Sequence, residues 1–234
     1  MIPASGAVLE AHHLRKDYRG GDGSTIEVLK GVDLTVSTGE FVAVTGESGS
    51  GKSTLLHLLG ALDRPSGGRV VLEGTGYEGL DDDALAAVRN RKIGFVFQFH
   101  HLLRDFSALE NVAMPLLIAG QEPTSAREHA RTLLDAVGLS ARVEHLPAQL
   151  SGGEQQRAAV ARALAGNPVL LLADEPSGNL DERNAGQLHE VFARLARDFR
   201  TALVVVTHNR ALAGLADRVL QLADGTLALV TVTS

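Results

Sequence analysis

The sequence predicts an α/β fold with a mostly parallel core sheet, an antiparallel β layer beside it and a helical segment inserted between two core strands. Three observations carry this expectation. Uninterrupted apolar runs of strand length recur with helical stretches between them, the pattern of strands covered on both faces. One of those runs ends in a glycine-rich turn that opens a helix. Residues from about 107 to 165, in contrast, hold several helical patterns and no convincing strand.

Taken in order, Val8-Leu9-Glu10 and Ile26 to Val36 alternate in polarity and read as antiparallel strands beside the main sheet. Phe41 to Thr45 is a buried-strand candidate, followed after its glycine turn by helical spacing from Lys52 to Leu62. Ile93 to Phe97, Val169 to Ala173 and Ala202 to Val206 are further apolar, β-rich runs. In the middle, Pro123-Thr124-Ser125 starts a helix whose end fits Gly138. Arg218 to Thr233 alternates again around the Asp224-Gly225 turn and joins the antiparallel group. The expected organisation is a single domain over 1–234, with a helical subdomain over about 99–165 and no repeat or linker.

Composition narrows the function. A chain of 234 residues with 44% hydrophobic and 21% charged residues can bury a substantial core. Its net charge of -6 argues against general affinity for nucleic acid or anionic lipid. Without cysteine there are no disulfides or thiolate metal sites, which suits a reducing cytoplasm. The start, MIPASGAVLEAHHLRK, lacks the basic and apolar regions of a secretory signal. No apolar stretch approaches the roughly 18–20 residues of a membrane span, so the expectation is a soluble protein or one attached to a membrane through something else.

The chemistry sits in three motifs. Gly46-Glu47-Ser48-Gly49-Ser50-Gly51-Lys52-Ser53 matches G-x-x-x-x-G-K-[ST] after a strand and before a helix. Glycines let backbone N–H groups converge on phosphate oxygens, and the helix N-terminus adds its positive dipole end. Lys52 reaches the β- and γ-phosphates, and the Ser53 hydroxyl can ligate Mg²⁺. A chance glycine turn is the bland alternative, and the strand-turn-helix context argues against it. In the second motif, the run Val169 to Ala173 ends in Asp174-Glu175-Pro176, placing two carboxylates at the sheet's carboxyl edge. Asp174 would hold Mg²⁺ through its water shell, and Glu175 would polarise the attacking water. Alone, this is equally a solvated strand end. The third motif, Leu150-Ser151-Gly152-Gly153-Glu154-Gln155-Gln156-Arg157, precedes the strong helix former Ala158 to Ala165. Ser151 and Glu154 have capping-box spacing, and the two glycines make a second anion-binding helix start.

With two phosphate-binding ends of different type in one chain, the sequence resembles the ABC ATPase family, whose signature reads LSGGQ, over essentially its whole length. The resemblance implies a P-loop NTPase fold of the ABC nucleotide-binding type, with ATP and Mg²⁺ as cofactors and hydrolysis of ATP as the activity. ATP contacts would come from Gly46, Glu47, Ser48, Gly49, Ser50, Gly51, Lys52, Ser53 and Thr54, with Tyr18 stacking on adenine. Gln98, after the strand Ile93 to Phe97, stands where the family's Q-loop glutamine does, acting in catalysis and with Ser53 and Asp174 on the metal. Ser177-Gly178-Asn179-Leu180-Asp181 occupies the D-loop position. His208 after Ala202 to Val206 matches the switch histidine, catalytic with Glu175. Taken singly, His208 would more often be a packed or surface histidine and Tyr18 a core residue; order and spacing favour the family roles. The family's mechanism implies a head-to-tail homodimer, in which Ser151, Gly152 and Gly153 of one chain close over the nucleotide on Lys52 of the other. Glu154 replaces the consensus Gln.

Within the family, the QFHHLL and ALENVAMPLL runs of Phe97 to Leu117 resemble the lipoprotein-releasing branch. That likeness implies integral membrane partners of the LolC/LolE-like permease kind and a peripheral place on the cytoplasmic face of the inner membrane. It also implies no contact with nucleic acid and none with cargo. MacB-type macrolide or peptide exporters and FtsE-like cell-division ATPases share most of the general motifs and are the nearest alternatives. A soluble non-transport ABC ATPase would usually carry a coiled coil or two ATPase domains, and a non-catalytic scaffold would be expected to lose Lys52 or Glu175. Phe99, Leu102, Leu103 and Phe106, clustered after Gln98, are candidate apolar anchors for the membrane subunit, with inward packing as the alternative.

Overall fold

The structure is a computed structural model that describes residues 6–21, 23–199 and 201–230. Ala7–Arg19 (β1) and Thr25–Ser37 (β2) are two long paired strands. Phe41–Thr45 (β3) leads through the glycine loop into Lys52–Leu59 (α1). Gly67–Leu72 (β4) and the short Thr75–Gly76 (β5) follow, then Asp82–Lys92 (α2) and Ile93–Val96 (β6). The helical stretch comprises Ala108–Ile118 (α3), Pro123–Ala136 (α4) and Gly152–Leu164 (α5). Leu170–Asp174 (β7), Glu182–Phe199 (α6), Ala202–Val206 (β8), Arg210–Ala213 (α7), Arg218–Ala223 (β9) and Thr226–Leu229 (β10) complete the described chain.

Two sheets result. One has four strands in the order β2-β1-β4-β5, each pair antiparallel. The other has six in the order β10-β9-β3-β8-β7-β6, parallel throughout except for β10 against β9. Alternation along the core strands sorts their side chains into two apolar layers. Leu171, Ala173, Leu203 and Val205 face the helices α3 to α6, whereas Leu170, Leu172, Val204 and Val206 face α1 and the antiparallel sheet. Burial on both faces is why these strands read as continuous apolar runs.

The sequence expectation differs from the structure at β9, β10, α2 and α1. β9 pairs in parallel with β3 and so belongs to the core sheet, not to the antiparallel layer. Its alternating pattern reports burial on one face and carries no information about pairing direction. Of the stretch expected to reach Thr233, β10 ends at Leu229, and 231–233 lie outside the described residues. Helix α2, with Asp81 capping the Ala84 N–H, escaped the sequence reading because only Leu85 is buried on it and no apolar stripe marks its face. The helix expected over Lys52 to Leu62 stops at Leu59; at Gly60 any side chain would collide with the Phe95 ring, so α1 meets β6 through a glycine. Helix α4 starts as expected, with Pro123 in its first turn and Glu122 accepting from the Ser125 N–H.

Candidate active site

Four parallel strands deliver the candidate residues to one place. β3 leads into Gly46 to Lys52, β6 to Phe97 and Gln98, β7 to Asp174 and Glu175, and β8 to Thr207 and His208. Because these strands run the same way, their carboxyl ends share one edge, where open α/β sheets gather ligands. That edge opens on a cavity of about 970 Å³ lined by the glycine loop together with Ser53, Thr54, Gln98, Asp174, Glu175 and His208.

The loop has the geometry of an anion site. Gly46, Gly49 and Gly51 have φ of 154°, 82° and 99°, and a side chain at Gly46 would strike the Leu222 carbonyl and the Ser50 hydroxyl. Gly51 is the N-cap of α1, so no side chain caps the helix, and its first turn holds no acidic residue. Lys52 Nζ donates to the carbonyls of Gly46 at 3.0 Å and Glu47 at 2.7 Å, which holds an ammonium at the loop. In the same loop the Ser50 hydroxyl is buried without a partner. Irreplaceable glycines, an uncapped helix start, an ammonium and an orphaned hydroxyl together fit the phosphates of a nucleotide. Ser53, Gln98 and Asp174 line the same cavity and supply only oxygen ligands, the donor chemistry of Mg²⁺. Among the described residues no cluster of acidic and histidine side chains could hold a metal alone, so phosphate oxygens would have to complete its shell.

Opposite the loop stands a carboxylate held from three sides. His208 Nδ1 lies 2.8 Å from Glu175 Oε1, the His208 N–H donates to the same carboxylate at 3.0 and 3.2 Å, and the Thr207 hydroxyl donates to Oε2 at 3.1 Å. An ionised carboxylate only accepts, so Nδ1 carries the proton and Nε2 is left to face the cavity or solvent. Glu175 itself has φ of 44°, an unusual backbone state for a side-chain-bearing residue, which turns the chain sharply at the end of β7. Gln98 and Asn179 exchange hydrogen bonds, Gln98 Nε2 to Asn179 Oδ1 at 3.1 Å and Asn179 Nδ2 to the Gln98 carbonyl at 3.3 Å. Sequence gives Asn179 only as a member of the D-loop segment and gives Thr207 no signal beyond adjacency to His208.

Residues 29–178 match the family described as ABC transporter. The chain belongs to the ABC transporter family. Similar proteins include the lipoprotein-releasing system ATP-binding protein LolD of Shewanella frigidimarina, 51% identical over 97% of this chain and 95% of that protein. The protein of the same name from Bordetella avium is 54% identical over 94% of this chain and 96% of its own length. Among solved structures, the ATP-binding cassette MJ0796 in a dimeric post-hydrolysis state bound to ADP and Pi superposes with a TM-score of 0.88. It is 38% identical, over 97% of this chain and 99% of that one. Like the rest of its family, the chain is an ATP-binding ATPase.

The family's signature segment lies elsewhere. Ser151 is the N-cap of α5 in a closed capping box: its hydroxyl accepts from the Glu154 N–H at 3.3 Å, and Glu154 Oε2 accepts from the Ser151 N–H at 2.8 Å. That backbone bond, against a burial that pushes the other way, holds the Glu154 carboxyl below its ordinary range, with Arg142 Nε at 3.2 Å assisting. Ser151 and Gly152 are exposed, Gly153 is buried against Asn184, and none of the three lines the Lys52 cavity. Tyr18 also stands outside the lining, on β1, where its hydroxyl donates to Asp63 at 3.2 Å and the Lys16 ammonium lies 5.1 Å from its ring.

After Gln98 the four expected apolar anchors separate. Phe99 is 64% exposed, and Leu103 and Phe106 are exposed as well, but Leu102 at 5% belongs to the core with Val96, Leu109 and Val112. Asn111, fully buried on α3, accepts from the Leu103 N–H at 2.7 Å and donates to the carbonyls of Leu103, Phe106 and Ser107, which fixes this alternation.

Proposed function

We propose that this chain energises release of lipoproteins from the inner membrane, as the ATPase subunit of a transporter with LolC/LolE-like permeases. The observation that carries the reading is identity of 51–54% to proteins named for lipoprotein release, across nearly the full length of both partners. Two chains would pair head to tail on the cytoplasmic face, each offering Ser151, Gly152 and Gly153 to the nucleotide bound by the other's Gly46 to Thr54. The exposure of Ser151 and Gly152, outside their own chain's cavity, supports a site shared in this way. No described helix is long and apolar enough to cross a membrane, so membrane attachment would run through Phe99, Leu103 and Phe106 on the permeases.

In hydrolysis, Lys52 and the loop N–H groups would neutralise the β- and γ-phosphates, and Tyr18 would meet the adenine from the β1 side. Glu175 would orient and deprotonate the attacking water, with Thr207 and His208 keeping its carboxylate aimed. The partner chain's Ser151 hydroxyl would donate to oxygens gaining charge as the terminal phosphate departs. Ser53, Asp174 and Gln98 would hold Mg²⁺, which when bound offsets phosphate charge.

The decisive experiment reconstitutes the chain with LolC/LolE-like membrane subunits in vesicles loaded with a radiolabelled lipoprotein. ATP-dependent transfer to a soluble acceptor is expected. Normal partner-stimulated ATPase activity without lipoprotein release would remove the cargo assignment and leave the ATPase intact.

A further inference from the structure

The loop between β6 and α3 carries Gln98 at one end and the exposed Phe99 beside it. It has little apolar anchorage of its own up to Leu102: Gln98 to His101 form no regular element, and His101 sits at φ of 47°. Two side chains of α5, the helix that begins at the signature, hold it instead. Gln156, 2% exposed, donates from Nε2 to the Phe97 carbonyl at 2.7 Å. Arg162 donates from Nη1 to the His101 carbonyl at 2.7 Å and from Nη2 to the His100 carbonyl at 2.8 Å. These three bonds bracket Gln98 and Phe99 on both sides, and the exchange between Gln98 and Asn179 extends the chain of contacts to the segment after Glu175.

A half-buried guanidinium and a buried amide bonded to backbone carbonyls are poor choices if filling space were the only task, since an apolar side chain of similar volume avoids their desolvation. Their geometry does something an apolar contact does not, because hydrogen bonds to consecutive carbonyls fix both the height and the direction of the loop.

We propose that Gln156 and Arg162 are positioning residues for hydrolysis, locking the Gln98 loop to the signature helix so that Ser151 to Gly153 and Gln98 move as one body. When two chains close, the motion that brings a signature onto the partner's nucleotide thereby also sets Gln98 in its own chain's cavity. The inference rests on the shared-site reading above.

Gln156→Leu and Arg162→Met roughly keep side-chain volume and remove the donors. In the full-length protein each lowers kcat by about ten- to a hundredfold, the scale of a misplaced reacting group, while KM for ATP stays within about twofold. On a Gln98→Ala background the same substitutions lower kcat no further, because what they place is already gone. Arg162→Lys, which reaches one carbonyl at a time, falls between Arg162→Met and the parent. Amide hydrogen exchange quickens in peptides covering 97–103 and stays unchanged in β3 and α1. Losses that add on the Gln98→Ala background, or an undiminished kcat in folded Gln156→Leu, overturn the proposal. Should Arg162→Met fail to fold, Gln156→Leu and Arg162→Lys apply the same test. A Glu175→Gln control separates the two readings: if it forms no ATP-dependent dimer, the shared site fails, whereas a normal dimer with unaffected kcat in the Gln156 and Arg162 variants rejects only the positioning role.

Discussion

The catalytic edge of the sheet and the signature end of α5 treat their polar groups in opposite ways. At the edge, Glu175, Thr207 and His208 bond to one another, and Gln98 bonds to Asn179, all within one chain. At the signature, Glu154 bonds the Ser151 backbone and hydroxyl oxygen, yet Ser151 and Gly152 stay exposed and away from the Lys52 cavity. Pre-arranged groups lower a barrier most when they need not reorganise, and Glu175 with Thr207 and His208 is arranged in this way within one chain. The signature is closed by its capping box, and on the shared-site proposal its exposed groups would act only against a second copy. On the shared-site proposal, one chain would hold the base and phosphate loop ready and receive its last donors from a second copy.

The largest expected effect breaks the edge. Glu175→Gln should lower kcat by roughly 10²–10⁴, the range for losing a general base, and should trap a nucleotide-bound dimer visible by size exclusion. Lys52→Ala should weaken ATP binding and give no dimer. Near-normal turnover in either variant would deny the edge its catalytic role.

Next comes the signature. Ser151→Arg should be inactive alone, and mixing it with Lys52→Ala should restore one intact site per heterodimer, since the two lesions fall on opposite halves. Activity of the mixture no greater than either parent, with heterodimers demonstrated, would contradict a shared site.

A third pair of changes lies between the two regions. Leu102→Ala should destabilise the fold by about 2–5 kcal/mol as a core truncation. Phe99→Ala with Leu103→Ala should shift unfolding by under about 0.5 kcal/mol per site and instead remove stimulation of the ATPase by the permeases. Thermal denaturation and ATPase assays in nanodiscs measure both; equal destabilisation by the two variants would erase the distinction.

The smallest effect concerns Glu154. Glu154→Gln preserves the capping box and loses the partly exposed Arg142 pair, so it should cost below about 1 kcal/mol. The folded-state pKa of Glu154 is depressed, so its contribution is present above the ordinary carboxylate range and lost as pH falls through the lowered value. The melting temperatures of the parent and Glu154→Gln should therefore differ at pH 7 and converge in acid. A difference that persists at low pH would show that charge is not its source.

Much of this was legible along the chain. The glycine loop, the acidic pair after β7, the capped signature and the histidine after β8 each depend on a strand or helix end and a few adjacent residues, so local order in the sequence determined their local geometry and, for the loop, the pair and the histidine, their shared edge. The positions of Gln98 and Glu175 relative to their strands followed from the same logic. Only the tertiary structure decided that β9 joins the core sheet in parallel, that Leu102 turns inward while Phe99, Leu103 and Phe106 turn out, and that Tyr18 stands apart from the cavity lining. It alone showed Gln156 reaching the Phe97 carbonyl across 59 residues of chain and Arg162 reaching His100 across 62. The physical reason is the range of the interaction. Turn geometry and helix capping are settled between neighbours in sequence, whereas a donor on one element meets a carbonyl on another only after packing has brought both faces together.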